Sequence, residues 1–242
     1  MSRVYLVRHG QAGTREAYDS LSELGRRQAR LLGEYFLSEG IQFAAAYSGA
    51  LFRQRETACE VSGVYREAGV SFPEIVREPG WDEFDLTHVY RALAPRLCAE
   101  DPEFERQYQE LVAQARAAAE QPEASVNRRW LPCDVQVVRA WIRGQHAYEG
   151  ESWRAFRERV IGCRLRLDPT ERDANIVVFT SATPIGIWTA LAMEIHDERA
   201  MRLAGVLHNT SCTVMRLHDG DLRLHSFNAI PHLSEPGLRT YR

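Results

Sequence analysis

An imidazole and a guanidinium stand next to each other near the start of this 242-residue chain, in the run Arg8-His9-Gly10. Neutral histidine is a nucleophile usable near pH 7, and arginine is a permanently charged fork that matches phosphate oxygens. The glycine that follows lets the chain turn sharply. These residue types at this spacing predict phosphate chemistry centred on His9.

Three predicted strands end in polar residues that could meet. The strands are predicted at Val4–Val7, Phe43–Tyr47 and Asn175–Thr180, where β-branched and aromatic residues cluster. His9, Ser48 and Ser181 stand at or just beyond their ends. Because parallel strands bind ligands beyond their carboxyl ends, we expect these residues to share one edge of a sheet. Arg53 and the predicted helix start at Thr183 would reach the same edge.

The order of elements predicts an α/β fold, a three-layer α/β/α arrangement with a mostly parallel central sheet. A further strand is predicted at Ile75–Arg77, and a hairpin is predicted around Asp219-Gly220. Between residues 85 and 149, helical stretches follow one another without strands. That segment is expected to be a helical cap inserted into a single domain spanning residues 1–242.

Start and stop signals place most of the helices. Ser22 is a natural N-cap for the first helix and Gly40 ends it. Thr183 as N-cap and Pro184 at the first helical position predict the start of a late helix. Further helices are predicted over 51–67, 87–94, 103–119, 153–167 and 184–194.

Composition argues against several classes of partner. The formal net charge is −3, from 30 basic residues, all arginine, and 33 acidic residues. No strong field of either sign favours nucleic acid or an anionic membrane, and no apolar run approaches the roughly 20 residues of a membrane span. Five scattered cysteines without a C-x-x-C pattern argue against disulfides and a zinc site. We expect a cytoplasmic protein that uses no metal and no cofactor.

Phosphoryl transfer to His9 also needs an acid that protonates the leaving oxygen. Asp82, Glu83 and Asp85 follow the strand predicted at Ile75–Arg77 and are the candidates. Their spacing alone does not choose among them.

Short motifs recur in a characteristic order along nearly the whole chain. They are Leu6-Val-Arg-His-Gly10, Leu21-Ser-Glu-Leu-Gly-Arg-Arg-Gln-Ala29, Ser48 to Ala58 with Leu51, Arg53 and Thr57, Gly150-Glu-Ser152, and Asn209-Thr-Ser211. In this order they resemble the motifs of the histidine phosphatase superfamily, the phosphoglycerate-mutase-like proteins. An R-H-G tripeptide arises easily by chance, but four further matches in the right order do not.

The resemblance implies a role for each site residue. His9 would take the phosphoryl group and form a phosphohistidine that water later hydrolyses. Arg8 and Arg53 would hold the phosphoryl oxygens. Glu83 would be the proton donor, because its placement after Arg77-Glu-Pro-Gly-Trp is similar to the acid segment of the family.

The segment after the late strand departs from the family pattern. Ser181 stands where relatives carry a second histidine that hydrogen-bonds the phosphoryl oxygens, and Ala182 replaces a glycine. Serine offers one neutral donor, and the loss of one oriented donor can cost roughly 10²–10³ in rate. Backbone N–H groups at the following helix start remain as anion ligands. The predicted phosphate ligands are Arg8, Gly10, Arg53, Ser181 and Ala182.

Three other histidines bear on that departure. His146 or His208 could supply the missing imidazole from elsewhere in the fold. His232 is similar to a C-terminal motif of the family and is expected to be structural.

Three functions remain open. The first is a phosphatase that hydrolyses a small phosphomonoester through His9. The second is a catalytically weak or inactive member that binds a phosphorylated ligand, which the Ser181 substitution favours. The third is a phosphoglycerate-type mutase. The sequence leaves the substrate and the oligomeric state open.

Overall fold

The central sheet is built from short apolar strands whose bounds follow the apolar runs of the sequence. In the computed structural model, residues 2–13, 19–119, 132–167, 173–218 and 221–241 are described, without the side chains of residues 115–119 and 218. The strands are β1 (Ser2–Arg8), β2 (Ala45–Ser48), β3 (Ile75–Arg77), β4 (Asn175–Thr180), β5 (Cys212–His218) and β6 (Asp221–Ala229). They form one sheet in the order β3-β2-β4-β1-β5-β6.

Strand direction confirms the predicted fold class. β1 pairs in parallel with β4, and β2 pairs in parallel with both β4 and β3. β5 runs antiparallel to β1, and β6 runs antiparallel to β5, as the hairpin prediction requires. The predicted turn residues of that hairpin, Asp219 and Gly220, lie outside the described residues.

Some of the helices pack on the two faces of the sheet, and others lie in the segment between β3 and β4. The helices are α1 (Glu23–Ser38), α2 (Phe52–Glu67), α3 (Leu86–Glu100), α4 (Pro102–Ala119), α5 (Pro132–Arg143), α6 (Trp153–Gly162), α7 (Ala182–Ala192) and α8 (Asp197–Ala204). Tyr5 and Val7 belong to one core cluster with residues of α1 and α2. Since strand side chains alternate, Val4 and Leu6 point to the opposite face, and α7 contacts β1 and β6. The three-layer arrangement is confirmed.

The first helix begins and ends where the sequence predicts. The Oγ of Ser22 accepts a hydrogen bond from the Gly25 N–H at 3.0 Å, and Gly40 takes a φ of +66° just beyond the last turn. A Cβ built on Gly10 would lie 2.5 Å from the Gly25 carbonyl oxygen. Two glycines therefore let the start of α1 pass directly against the turn that carries His9.

The chain divides into two compact units. One comprises Met1–Glu83 and Arg159–Arg242 and contains the whole sheet. The other is Phe84–Glu158, which contains α3, α4, α5 and the first turns of α6. The helical insertion expected over residues 85–149 lies within this second unit. Its core includes the rings of Phe84 and Trp141, which stack with centroids 4.5 Å apart.

Several helix boundaries differ from prediction, and two of the differences, in α3 and α7, have a clear physical reason. α3 continues through Pro95 to Glu100, whereas the predicted helix stops at residue 94. Pro95 cannot donate to the carbonyl of Arg91, but Arg91 is exposed, so water can satisfy that oxygen. α7 begins at Ala182, so Thr183 is inside the helix and is not its N-cap. A hydrogen bond to Glu83 explains this earlier start of α7, as described below with the site.

Candidate active site

The backbone of His9 is fixed from both sides at the carboxyl end of β1. Its N–H donates to the Thr180 carbonyl at 2.9 Å. Its carbonyl accepts from the Asn209 Nδ2 at 3.1 Å and from the Thr210 N–H at 3.3 Å. Thr210 has a φ of +54°, and this tight turn brings both donors to one oxygen. The direction of the imidazole is therefore set by β4 and by the segment before β5.

The imidazole itself has a defined tautomer. Its Nδ1 lies 2.8 Å from the Gly10 carbonyl oxygen, which can only accept, so Nδ1 carries the proton. Its Nε2 accepts from the Arg53 Nε at 3.2 Å. Burial, and then the charges of Arg53 and Arg8, hold the His9 pKa well below its usual value. The result is a neutral ring whose lone pair on Nε2 faces a guanidinium.

Arg53 lies in the first turn of α2, and its side chain is buried beside His9. Its Nη1 lies 2.8 Å from Oδ1 of Asp19, a half-exposed carboxylate. The other Asp19 oxygen accepts from the Phe52 N–H at 3.0 Å. Asp19 was not singled out from sequence, because a lone aspartate in a polar loop carries no signal. Its carboxylate orients the guanidinium.

Arg8 is buried, and its side chain is directed to the carboxyl-terminal segment. Its Nη2 donates to the Tyr241 carbonyl at 2.5 Å, and its Nη1 donates to the Leu207 carbonyl. Its charge still acts on His9, whose pKa it lowers. A direct contact of Arg8 with phosphate stays a prediction.

Gly10 ties the nucleophile turn to α2. Its N–H donates to the Thr57 Oγ1 at 3.0 Å, and the same hydroxyl donates to the Arg53 carbonyl at 2.8 Å. Thr57, one of the motif residues between Ser48 and Ala58, therefore links Gly10 and Arg53 through one hydroxyl. Gly10 contributes its carbonyl to His9, and its predicted contact with phosphate is untested.

Ser181 lies beside His9 because of strand register. Arg8 pairs with Thr180 across the parallel strands β1 and β4, so the residues that follow them are neighbours. Ser181 is buried, and its Oγ accepts from the Gln54 Nε2 at 2.9 Å. Sequence reasoning missed Gln54, since a glutamine one place after Arg53 reads as an ordinary helix residue.

The start of α7 is capped by a residue from another segment. Glu83 Oε2 accepts from the Thr183 N–H at 3.1 Å, so the carboxyl group of Glu83 caps this helix. Because that N–H has a partner, the helix can begin at Ala182, two residues before the predicted start. The structure thus brings Glu83 and Ala182, both predicted site residues, to the end of β4.

The three candidate acids separate by their contacts. Asp82 Oδ1 accepts from the Ala50 N–H at 2.6 Å and from the Leu51 N–H at 3.3 Å, so it secures the turn before α2. Burial raises the Asp82 pKa. Asp85, within the helical unit, accepts from the His88 N–H at 2.9 Å and caps α3. Glu83 is the acid held at the start of α7, beside Ser181.

The three histidines considered beside the Ser181 departure, His146, His208 and His232, each have a local partner. The Nε2 of His232 lies 2.9 Å from the Thr210 Oγ1, and burial lowers the pKa of His232 to about 4. His208 stacks on Tyr241 with ring centroids 4.3 Å apart, and burial lowers its pKa as well. Within the helical unit, the Nε2 of His146 lies 3.5 Å from Glu100. These contacts place His232 in the support of the His9 turn.

The described part of the chain has neither a candidate metal cluster nor a helix that could span a membrane. Across residues 2–13, 19–119, 132–167, 173–218 and 221–241, no group of three or more His, Cys, Asp or Glu side chains is arranged to hold a metal ion. In the same ranges, no helix is long and apolar enough to span a membrane.

The structure is an α/β protein in which a neutral histidine lies beside buried arginines at the carboxyl edge of a mostly parallel sheet, where such folds bind ligands. Comparison with known families gives the specific class. The family model of the histidine phosphatase superfamily (branch 1) matches residues 4–133 and 132–230. The chain therefore belongs to the histidine phosphatase superfamily.

Curated relatives match part of the chain. The serine/threonine-protein phosphatase Pgam5, mitochondrial, of Caenorhabditis elegans is 26% identical over 161 residues, which cover 62% of this chain and 52% of that protein. The Caenorhabditis briggsae protein of the same name is 27% identical over the same shares. This chain thus spans about half the length of the curated relatives it matches.

Solved structures share the fold over the full length. A mutant phosphoserine phosphatase from Entamoeba histolytica, in complex with phosphoserine, has a TM-score of 0.60 at 17% identity, covering 96% of this chain and 100% of that one. A mycobacterial glucosyl-3-phosphoglycerate phosphatase with inorganic phosphate has a TM-score of 0.58 at 22% identity, covering 96% and 99%. At such identities the likeness establishes the fold alone.

Proposed function

We propose that this chain hydrolyses a small phosphomonoester through a phosphohistidine on His9. The observation that carries the proposal is the state of the imidazole. Nδ1 is fixed by the Gly10 carbonyl, and Nε2 is neutral and faces Arg53. An unprotonated nitrogen beside a guanidinium is what attack on a phosphorus atom requires.

In the first step, Nε2 of His9 forms a bond to phosphorus while the bond from phosphorus to the ester oxygen breaks. Arg53 leaves Nε2 and follows the phosphoryl oxygens, which match its fork. Glu83 gives its proton to the departing oxygen. The proton stays on Nδ1, and its hydrogen bond to the Gly10 carbonyl stabilises the positive charge that develops on the ring.

In the second step, the carboxylate of Glu83 takes a proton from water, and that water attacks phosphorus. The bond from Nε2 to phosphorus breaks, inorganic phosphate leaves, and Glu83 is protonated again. The proposal assigns charge stabilisation to Arg53 and Arg8, so no metal and no cofactor takes part. Substrates of the class are small phosphorylated molecules such as the phosphoserine bound by the Entamoeba histolytica relative.

A binding protein without turnover is the second candidate, and Ser181 favours it. We propose that Ser181 occupies the place of a second histidine, which leaves a neutral donor where relatives have an imidazole. A site with one weaker donor can retain phosphate affinity and lose rate, because the lost interaction acts mainly in the transition state.

Trapping of the intermediate distinguishes these candidates. Wild type, His9→Ala and His225→Ala are mixed with radiolabelled phosphoserine, quenched in base and counted for protein-bound phosphate. His225 is an exposed residue of β6 and serves as the matched control. Hydrolysis predicts acid-labile label on wild type and on His225→Ala but none on His9→Ala. Phosphate binding in calorimetry without label or turnover would support the binding protein.

A further inference from the structure

Ser181 occupies the N-cap position of α7 but makes no capping hydrogen bond. An N-cap serine normally accepts from the N–H of the second or third helical residue. The third residue here is Pro184, which has no N–H. The N–H of the second residue, Thr183, is bound to Glu83. Neither of the two N–H groups that an N-cap serine usually binds is therefore available to Ser181, and its hydroxyl binds another group.

Gln54 supplies the partner that Ser181 has instead. Its Nε2 lies 2.9 Å from the Ser181 Oγ and 3.2 Å from the Trp81 carbonyl oxygen. The Gln54 side chain has no exposure to solvent, so both contacts are made away from water.

The Trp81 carbonyl decides which way the amide of Gln54 faces. A carbonyl can only accept, so the atom of Gln54 beside it must be the NH₂ group. The Thr180 hydroxyl donates to the same carbonyl at 2.6 Å, which holds that oxygen in place. The NH₂ group therefore also donates to Ser181. Because the Ser181 oxygen accepts from Gln54, its own hydroxyl hydrogen must point away from Gln54.

We infer that Gln54 is a positioning residue that holds the hydroxyl of Ser181 as a hydrogen-bond donor to the phosphoryl group on His9. The register of β1 and β4 places Ser181 next to His9, and Gln54 fixes the sense of its hydrogen bond. The oriented hydroxyl would stabilise the charge that develops on the phosphoryl oxygens in the transition state, as other oriented side-chain donors do. This inference rests on the proposed function at His9.

A double-mutant cycle on phosphoserine hydrolysis tests the inference. Ser181→Ala should lower kcat about 10²-fold, the loss typical of one oriented donor. Gln54→Met should lower kcat about tenfold, because the hydroxyl remains but loses its orientation. Combined, the two changes should cost no more than Ser181→Ala alone, since Gln54 acts only through Ser181.

The matched control is Gln28→Met, the same substitution at another fully buried glutamine. Gln28 bonds to the Leu238 carbonyl at 2.7 Å and to the Thr240 hydroxyl at 2.9 Å, away from Ser181. Any loss of rate from Gln28→Met should multiply with that of Ser181→Ala. Thermal unfolding of every variant identifies those that are folded.

Gln54→Glu gives a readout that a purely structural role would not move. A carboxylate has no N–H, so it would accept the Ser181 hydrogen and turn it away from the phosphoryl group. A protonated carboxyl can again donate, and burial raises the pKa of such a group. The ratio of Gln54→Glu activity to wild-type activity should therefore rise as pH falls from 8 to 5.5, whereas that of Gln54→Met should stay flat.

Each outcome separates the inference from the proposed function. If the losses in kcat from Gln54→Met and Ser181→Ala multiply in the double variant, the inference is wrong although hydrolysis stands. The inference is also wrong if the ratio of Gln54→Glu activity to wild-type activity does not change with pH. If wild type does not hydrolyse phosphoserine, the proposed hydrolysis fails. The affinity of the variants for inorganic phosphate then tests whether Gln54 positions Ser181. Weaker binding of Ser181→Ala and Gln54→Met, without further loss in the double variant, would support the pair, and unchanged affinity would overturn it.

Discussion

The ends of β1 and β4 lie side by side, yet the residue beyond each strand is secured in a different way. His9 is held by its backbone, through Thr180 on one side and Asn209 and Thr210 on the other. Ser181 is held by its side chain, through Gln54. Main-chain contacts survive a change of side chain, whereas the Gln54 contact depends on a residue type.

This difference divides the work of the site. In the proposed mechanism, the β1 end fixes the nucleophile, for which direction and protonation state matter most. The β4 end supplies Ser181 and Glu83: Ser181 is held by the Gln54 side chain, and Glu83 is held by the Thr183 N–H. We therefore expect substitutions at the two ends to be separable by measurement.

The largest expected effect is at the β1 end. Arg53→Lys keeps the charge but removes the planar fork that contacts both Nε2 of His9 and Asp19. We expect kcat for phosphoserine to fall roughly 10²–10³-fold. Arg55→Lys is the control, because Arg55 lies two residues further on in α2 and stacks over Phe52. Equal effects of the two substitutions would contradict the assignment of Arg53.

At the β4 end, Glu83→Gln should separate chemistry from capping. The amide can still accept from the Thr183 N–H, so the cap is kept, but it cannot give a proton. We expect about a 10²-fold loss with phosphoserine, whose alkoxide needs protonation, and a much smaller loss with p-nitrophenyl phosphate. Steady-state rates with both esters measure the contrast.

Asp82→Asn is the neighbouring control for Glu83→Gln. Asparagine keeps an oxygen that can accept from the N–H groups of Ala50 and Leu51, so the change in rate should be small and should not depend on the leaving group. If Asp82→Asn showed the leaving-group dependence, the proton donor would have to be reassigned.

Thr57→Val tests how far the β1 end depends on its backbone partners. The substitution leaves the Gly10 N–H without its acceptor in a buried place. We expect the free energy of unfolding to fall by about 1–3 kcal/mol in urea titrations, while Thr57→Ser stays close to wild type. A neutral outcome for Thr57→Val would mean that the turn is held sufficiently by the contacts of His9 itself.

The smallest expected effect concerns pH. The His9 pKa is held well below 6.5, so the ring stays neutral at pH 6 and kcat/KM should show no acid loss from His9 between pH 8 and pH 6. A histidine of ordinary pKa would lose about fourfold at pH 6. A fourfold loss at pH 6 would instead show that His9 titrates with an ordinary pKa.

The same shift has a consequence for stability, with a definite sign. Below pH 6.5 the unfolded chain binds a proton on His9 that the folded chain does not bind. The free energy of unfolding therefore decreases as pH falls below 6.5. His232, with a pKa of about 4, adds roughly 2 kcal/mol to that decrease by pH 5.

Most of the fold followed from local pattern. The observed β3 and β4 match the predicted strands, and α1 starts at the predicted cap Ser22. Apolar alternation and capping residues are local signals, so strands and helix starts can be predicted from them without knowledge of tertiary contacts. Two helices, α5 and α8, were not predicted. The start of α7 was misplaced by two residues, because its cap comes from Glu83, a hundred positions away.

The sequence by itself determined that His9, the proposed nucleophile, and the helix arginine Arg53 meet at one edge of the sheet, because residue types and the order of the strands can be read from the chain. Only the tertiary structure showed the different contacts of Glu83, Asp82 and Asp85, and directed Arg8 toward backbone carbonyls. It alone joined Gln54 to Ser181 across 127 positions. Hydrogen bonds between distant segments are decided by packing, and no spacing in the chain records them.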